Sequence, residues 1–352
     1  MKTRRGRLPL PLLAALTVAA LVAAGCGATT SAAGSDSGSG QTITLYNAQH
    51  EQTTDALIAA FTAQTGIKVN VRSDDEDVLT AQIEQEGAKS PADVFYTENS
   101  PWLEQLDRKH LLAKVDPTTL QQVPAADSGA SGDWVGVSAR VSVLVYNTHD
   151  LTASQLPKSV LDLANPEWKG KLDLAPSETD FWPIVSSVAK TYGQAKALAW
   201  LRALKANAGV NDNTPDNETI TSDVNQGITQ LGIINHYYFY RLQAEIGKAD
   251  VHAALAYLAP RDPGYLLDIS GAAILKSSKH QAAAQKLLAF MTSTAGQTIL
   301  AHSESFEYPI GDHVAANPAL RPFDQLQPNS FSVAELGTGE DAKTLLQQAQ
   351  LI

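Results

Sequence analysis

The sequence predicts an α/β fold with two lobes, and three observations support this prediction. From residue 42 onwards, apolar runs typical of strands alternate with segments whose apolar residues have helical spacing. The 352 residues and the 44% hydrophobic content suit two ordinary globular domains. Residues 134–146 form a β-rich run longer than an ordinary strand of about 5–6 residues. A strand of that length is expected to cross from one lobe to the other.

The part of the chain before this long strand alternates regularly. Its predicted strands are residues 42–46, 67–71 and 92–96. Its predicted helices are residues 53–64, 78–83 and 102–106. Gly66 is in position to end the first of these helices. Alternation at this spacing indicates βαβ units and a parallel sheet.

The part after residue 134 repeats the pattern and predicts the second lobe. Further strands are predicted at residues 171–174, 231–235 and 272–275. Further helices are predicted at residues 181–192, 195–204, 282–291 and 294–300. In open α/β sheets, ligands bind beyond the carboxyl ends of strands, so the residues that follow each strand are the first candidates for a site.

The N-terminus reads as an export signal and a tether. Residues 1–25 combine four basic residues with a short apolar run, which predicts a signal peptide. Small residues precede Cys26, the only cysteine, as in a bacterial lipobox, although Ala23 replaces the usual Leu. We expect Cys26 to be lipidated and residues 26–41 to form a flexible linker; a plain cleaved signal is the alternative.

The charge balance argues against polyanionic partners. The whole chain has a net charge of −11, and without the basic residues 1–25 the balance is −15. Such a surface repels nucleic acid and anionic lipid, so neither is expected to bind. It suits a cationic ligand, although acidity is also a common solubility device.

Four side chains that follow predicted strands form a plausible donor set for a hard trivalent cation. They are His50, Glu98, Tyr237 and Tyr238. Carboxylate and phenolate oxygens suit hard cations, and imidazole tolerates iron. Phenol has a pKa near 10, so Ca²⁺ and Mg²⁺ rarely displace its proton, whereas Fe³⁺ does. Taken singly, the tyrosine pair also fits core or sugar-stacking aromatics, and the His and Glu fit solvated surface residues.

The segments that carry these residues resemble the bacterial ferric-ion-binding proteins. The matching motifs are YNAQH at 46–50, PADVFYTE at 91–98 and NHYYFYR at 235–241. Weaker similarity runs through 159–163, 168–171, 262–264 and 270–276, so that it covers nearly all of residues 42–352. These proteins are solute-binding components of iron(III) ABC importers.

The resemblance implies a periplasmic-binding-protein clamshell with a two-strand hinge. Residues 42–138 and 268–318 would form lobe 1, and residues 139–267 and 319–352 would form lobe 2. The resemblance also implies that His50 and Glu98 bind Fe³⁺ from one lobe, and Tyr237 and Tyr238 from the other. Ligands on both lobes would make metal binding favour the closed state.

The region that binds a synergistic anion in similar proteins differs here. Asn217 and Asn235 match anion-contacting positions, but the turn at 176–181 carries Glu178 and Asp180, which would repel phosphate. We expect one of these carboxylates to replace the anion; the alternative is that Asp180 only caps a helix beginning at Phe181.

Arg140 and Tyr240 lie near these motifs in the sequence. Arg140, on the long strand, is read either as a neighbour of the anion or as a surface residue. Tyr240 is expected to pack, since strand alternation would turn it away from Tyr238.

The function predicted from these residues is capture of ferric iron outside the cytoplasmic membrane and delivery to an ABC importer permease. We expect a lipid-anchored monomer, in the periplasm or at the cell exterior, that is not an enzyme. The sequence lacks Gly-x-Ser-x-Gly and His-Glu-x-x-His motifs. The alternative is a receptor of the same fold for an organic solute such as a polyamine, a thiamine-like compound or a phosphonate.

Overall fold

A computed structural model describes residues 41–208, 216–311 and 314–352. The predicted signal peptide, Cys26 and all but the last residue of the linker lie outside the described residues. In the part that is described, no helix is long and apolar enough to cross a membrane.

The described residues form nine strands of one mixed sheet. The strands are β1 (Thr42–Ala48), β2 (Lys68–Ser73), β3 (Val94–Thr97), β4 (Trp134–Asn147), β5 (Leu172–Asp173), β6 (Leu231–Asn235), β7 (Ala253–Ala256), β8 (Leu267–Ile274) and β9 (Tyr308–Pro309). Their order is β2-β1-β3-β8-β4-β6-β5, and β7 and β9 also pair with β4. β1 is parallel to both β2 and β3, as the βαβ pattern predicts.

Helices cover the sheet. They are α1 (Glu51–Thr65), α2 (Glu76–Glu86), α3 (Ser100–Arg108), α4 (Pro117–Leu120), α5 (Trp182–Tyr192), α6 (Gln194–Asn207), α7 (Asn217–Gln226), α8 (His236–Ile246), α9 (Gln281–Thr292), α10 (Thr294–Ala301), α11 (Val333–Leu336) and α12 (Glu340–Gln348). Gly66 ends α1 as predicted: its φ of 73° is left-handed, and its N–H donates to the carbonyl of Thr62.

The long strand β4 joins the two lobes. Its first part, Trp134 to Val141, pairs antiparallel with β8. Its second part, from Ser142 onwards, pairs instead with β6 and β7. The change of partner at Ser142 divides the sheet into a half built on β1, β2, β3 and β8 and a half built on β5, β6 and β7. The two-lobed α/β prediction is therefore confirmed.

The apolar core lies on both sides of this sheet. In the first half, Ile43 and Leu45 of β1 pack with Leu57 and Phe61 of α1, and all four are fully or almost fully buried. In the second half, α12 packs on α5 and α6. These rigid layers hold the carboxyl ends of β1, β3 and β6, where the candidate site lies.

Candidate metal centre

Three strand ends position the four residues predicted to bind metal. β1 leads to His50, which directly precedes α1, and β3 leads to Glu98. β6 leads into the first turn of α8, which holds Tyr237 and Tyr238. The first two residues lie on one half of the sheet and the last two on the other.

The structure brings these four side chains into contact. His50 Nδ1 lies 3.1 Å from Glu98 Oε1, and the Tyr237 hydroxyl donates to Glu98 Oε2 over 3.4 Å. The ring centroids of Tyr237 and Tyr238 are 4.1 Å apart, and the His50 ring meets Tyr237 edge-on at 5.1 Å. One imidazole, one carboxyl and two phenols therefore converge at a single point between the lobes.

The second ring nitrogen of His50 has no protein partner. Its Nε2 is buried and makes no hydrogen bond to any described residue. Buried ring nitrogens are normally paired, because an unpaired one has lost water without replacement. Neutral imidazole nitrogen is a common metal ligand, so this atom fits that role.

Both phenols hold their protons tightly in the metal-free protein. Burial raises the pKa of Tyr237 and of Tyr238 well above 10, and the negative charges of Asp180 and Glu98 raise each further. Burial also raises the pKa of Glu98 well above its ordinary value, with the charge of Asp180 adding to the effect. A cation that binds these oxygens must displace their protons, which a trivalent ion does most readily.

The pKa of His50 shifts in the opposite direction to those of the tyrosines. Burial lowers its pKa to about 3, and the positive charges of Arg241 and Arg140 contribute. The imidazole is therefore neutral and ready to donate a lone pair throughout the physiological range. Protons therefore do not compete with a metal for His50 near neutral pH.

Arg140 is the central cation of the site. Its side chain is fully buried, so the interpretation as a surface residue is wrong. Its guanidinium donates to Asn99 Oδ1 over 2.5 Å and lies 3.6 Å from Asp180 and 3.4 Å from Glu307. Because it sits on β4 near the change of partner, it links the two halves of the sheet.

Asp180 does not cap a helix. α5 begins at Trp182 after a 3₁₀ turn over Thr179–Phe181, and neither start has a side-chain cap. The Asp180 carboxylate instead points into the site, where Tyr238 donates to it over 3.2 Å and Asn217 over 3.3 Å. The helix-cap alternative is therefore wrong.

The other residues predicted around an anion lie nearby but differ in their contacts. Asn235 is buried beside Asp180 and Asn217, and its Nδ2 has no hydrogen-bond partner among the described residues. Glu178 is half-buried at the edge of the main cavity, where burial raises its pKa to about 7 and the charge of Asp180 adds to this. The two carboxylates therefore occupy distinct positions.

Three further polar residues at the site, Glu76, Asn99 and Glu307, are not among those predicted from the sequence. Glu76, at the start of α2, accepts hydrogen bonds from Thr179 over 2.7 Å and from the backbone N–H of Asn99 over 2.6 Å. Asn99 also donates to Asp180 over 3.2 Å, which ties the two halves together. Glu307 pairs with Arg140 from the far side. Asn99 directly follows Glu98, so its proximity to a strand end was the available clue.

A cavity of about 800 Å³ opens in front of these residues. Nine carboxylate side chains and only two cationic ones, Arg241 and Lys343, line it. A cleft of one sign raises the local concentration of ligands of the opposite sign. This cavity therefore favours a cation.

The donor set narrows the class of cation. Within residues 41–208, 216–311 and 314–352, no group of three His, Cys, Asp or Glu side chains is arranged to hold a metal. The side chains that converge here include the phenols of Tyr237 and Tyr238, whose oxygens suit a hard trivalent ion better than Zn²⁺, Ca²⁺ or Mg²⁺.

The alternation argument for Tyr240 is wrong, although the residue does pack. Residues 236–246 form helix α8 rather than a strand, so neighbouring side chains do not alternate. Tyr240 meets the rings of His236 at 6.1 Å and Phe306 at 5.8 Å. Its ring is part of the aromatic packing beneath the site.

Comparisons with known proteins agree with this geometry. Residues 89–328 match the family model of bacterial extracellular solute-binding proteins. The chain is also 42% identical to an Fe(3+)-binding periplasmic protein of Serratia marcescens, over 85% of this chain and 87% of the relative. The chain belongs to the bacterial ferric-ion-binding protein family.

Solved structures of this family share the fold. Iron-bound HitA from Pseudomonas aeruginosa is 42% identical, with a TM-score of 0.83 over 88% of this chain and 99% of that one. A Trichodesmium protein, IdiA or FutA, in complex with iron and citrate ligands is 28% identical, with a TM-score of 0.78 over 88% and 98%. Members of the family are binding proteins of transport systems, so this chain is a receptor and not an enzyme.

Proposed function

We propose that this protein captures ferric iron outside the cytoplasmic membrane and delivers it to an ABC importer. The observation that carries the proposal is the convergence of His50, Glu98, Tyr237 and Tyr238 at one point between the lobes. The printed names of its relatives, Fe(3+)-binding protein and iron-bound HitA, support the same cargo.

In this proposal the four residues are the protein ligands of Fe³⁺. Glu98 and the two phenolates supply three negative charges, which match the charge of the ion. His50 supplies a neutral nitrogen. Because the ligands come from both lobes, the ion is held fully only when the lobes are closed, and opening on the permease would release it.

The proposal also assigns the residue ranges of the two lobes. Residues 42–138 with 268–318 form lobe 1, and residues 139–267 with 319–352 form lobe 2. The change of pairing partner along β4 and the packing of α12 on α5 and α6 support this division. β4 and β8 then serve as the two hinge strands.

The N-terminal sequence supports export and anchoring. The extracellular family and the predicted signal at 1–25 agree that the chain is exported. We assign Cys26 as the lipidated residue and residues 26–41 as the tether that holds a monomeric receptor beside its permease. Metabolic labelling with a radioactive fatty acid tests the anchor, and Cys26→Ser should abolish incorporation.

A visible absorption spectrum tests the cargo. The domain from residue 42 onwards, stripped of metal and titrated with ferric citrate, should develop a broad Fe³⁺–phenolate charge-transfer band. Tyr237→Phe and Tyr238→Phe should each weaken or abolish that band. Tyr240→Phe, on the same helix but outside the donor set, should leave it unchanged.

Two other outcomes of this absorption experiment would contradict the proposal. A band that survives in both variants would show that iron binds elsewhere. No band in the unaltered protein would leave the fold intact but move the search to an organic cation.

A further inference from the structure

We propose that Gln49 is a positioning residue for the ferric site, because it fixes the turn that carries His50 and bonds that turn to the hinge. This inference rests on the proposed function and deepens it, since it names the group through which a movement of the hinge reaches a metal ligand. We call the buried side chains of Gln49, Ser138, Ser270 and Glu307 the hinge network.

Gln49 uses both ends of its side-chain amide. Its Oε1 accepts a hydrogen bond from the backbone N–H of His50 over 2.7 Å. Its Nε2 donates to the hydroxyl of Ser270 on β8 and lies 3.4 Å from both carboxylate oxygens of Glu307. Gln49 is only 5% exposed, so these bonds are shielded from water. One side chain therefore connects the backbone of a proposed ligand to a hinge strand.

The turn between β1 and α1 is held in place around Gln49. The side-chain amide of Asn47 donates to the backbone carbonyl of Gln49 over 2.8 Å, and the Thr54 hydroxyl donates to Asn47 over 2.9 Å. The backbone N–H of Thr54 donates to the carbonyl of His50 over 3.0 Å. The side chain of His50 does not cap α1, so its imidazole is directed by the position of this turn.

The other end of the hinge network lies where the two lobes meet. Ser138 is the last residue of the proposed lobe 1 on β4, and it is the register partner of Ser270 on β8. Both serines are fully buried, and Ser138 donates to Glu307. A rotation of one lobe against the other changes the backbone at this boundary. It would therefore move the groups to which Gln49 is bonded.

The Glu307 carboxyl makes the hinge network sensitive to the loss of any member. It is 1% exposed, and it accepts hydrogen bonds from Gln49, Ser138 and Arg140. A buried polar group that loses its partner pays the cost of having left water. The intact network therefore favours one position of Gln49, and with it one position of the His50 backbone.

His50 depends on such support more than the other proposed ligands do. Glu98, Tyr237 and Tyr238 bring negative charge to the cation, whereas the imidazole of His50 is neutral. A neutral ligand contributes through the distance and direction of its lone pair, which the groups behind it set. We therefore expect closure of the hinge to hold His50 against Fe³⁺, and opening to loosen it.

The first test replaces the amide of Gln49. Gln49→Met keeps the length of the side chain and removes its hydrogen bonds to His50, Ser270 and Glu307. Ferric affinity, measured by competition with a chelator, should fall by about 10–100-fold. The ¹⁴N coupling of the His50 imidazole, measured by electron spin echo spectroscopy of the Fe³⁺ protein, should weaken or disappear. The phenolate charge-transfer band should remain.

The matched control is Gln52→Met. Gln52 is the same residue type, lies three residues along the chain and borders the main cavity, but it is exposed. Its replacement should leave the affinity and the ¹⁴N coupling unchanged. An unchanged affinity and coupling in Gln49→Met would overturn the inference, and so would equal losses in Gln49→Met and Gln52→Met.

A double-mutant cycle shows whether Gln49 acts through His50. In a His50→Ala background, Gln49→Met should weaken ferric binding by less than about 2-fold, because the ligand that it positions is already absent. A full loss in that background would mean that Gln49 supports the site by another route, and would overturn the inference.

Ser270→Ala tests the connection to the hinge and replaces the first test if Gln49→Met does not fold. It removes one hydrogen bond of Gln49 and leaves its bond to the His50 backbone, so affinity should fall by about 2–10-fold. Release of iron to a chelator should become faster, and both effects should vanish in the His50→Ala background. Unchanged affinity and release in Ser270→Ala would overturn the proposed coupling to the hinge.

Failure of this inference differs from failure of the proposed function. If the unaltered protein shows no phenolate band with Fe³⁺, the proposed function is wrong. If the band forms but Gln49→Met binds iron as the unaltered protein does, iron is the cargo and Gln49 does not position His50. Circular dichroism of each variant establishes that it is folded.

Discussion

The pH dependence of ferric binding follows directly from the state of the two phenols. Burial, reinforced by the charges of Asp180 and Glu98, raises the pKa of Tyr237 and of Tyr238 well above 10. Both therefore carry protons at pH 5–8 without metal and lose them when Fe³⁺ binds. Binding should weaken as the pH falls, since protons then compete for the oxygens.

The magnitude follows from the number of protons released. Each proton released changes the binding constant about tenfold per pH unit, or about 1.4 kcal/mol. The phenols account for two protons, and Glu98, whose pKa burial also raises, accounts for up to a third. Lowering the pH from 7 to 6 should therefore weaken binding by about 100- to 1,000-fold.

The assay is competition against nitrilotriacetate between pH 5.5 and 7.5. The charge-transfer band reports occupancy, and the known proton dependence of the chelator is subtracted. The slope of the logarithm of affinity against pH should be two to three. Tyr237→Phe should lower this slope by one, and Tyr240→Phe should leave it unchanged. A slope below one, or an unchanged slope in Tyr237→Phe, would refute the reasoning.

Two further predictions concern stability and are measured by urea unfolding of the metal-free protein. In Gly232→Ala, the added Cβ would lie 2.3 Å from Cγ2 of Ile220 on α7, so the free energy of unfolding should fall by about 1–3 kcal/mol. Adding Ile220→Ala should cost less than the sum of the single changes, and strict additivity would contradict the clash. Burial raises the pKa of half-buried Asp127 to about 6, so its ionisation opposes folding as the pH rises from about 4 through 6. Asp127→Asn should therefore stabilise the protein by about 1–2 kcal/mol at pH 8 and much less at pH 4; an equal effect at both would count against this.

Much of the fold, and the places of the proposed ligands along the chain, could be predicted from local sequence patterns. Strand-like runs and helical spacing depend on neighbours a few residues apart, and the structure confirms the alternation that they predicted. The chemistry of each strand end could be predicted for the same reason, since His50, Glu98 and Tyr237 lie within two residues of the ends of β1, β3 and β6. The switch from strand to helix at residue 236 was the local feature that the alternation argument missed.

The contacts and protonation states of the site residues could not be predicted from local sequence patterns. The sequence left open whether Arg140 lies at the site or on the surface, because nothing near it in sequence shows that Asn99, Asp180 and Glu307 surround it. The neutrality of His50 and the retained protons of the tyrosines depend on burial, which is a property of the packed chain.

The sequence by itself therefore determined the fold class, the order of the elements and the residues offered at each strand end. Only the tertiary structure shows that Asp180, rather than Glu178, contacts Arg140 and Asn217, because those contacts join residues that are far apart in the chain. Local sequence patterns determine whether each segment forms a strand or a helix. Charge, protonation and pairing at a buried site are set by residues far apart in the chain, whose distances exist only once the sheet has formed.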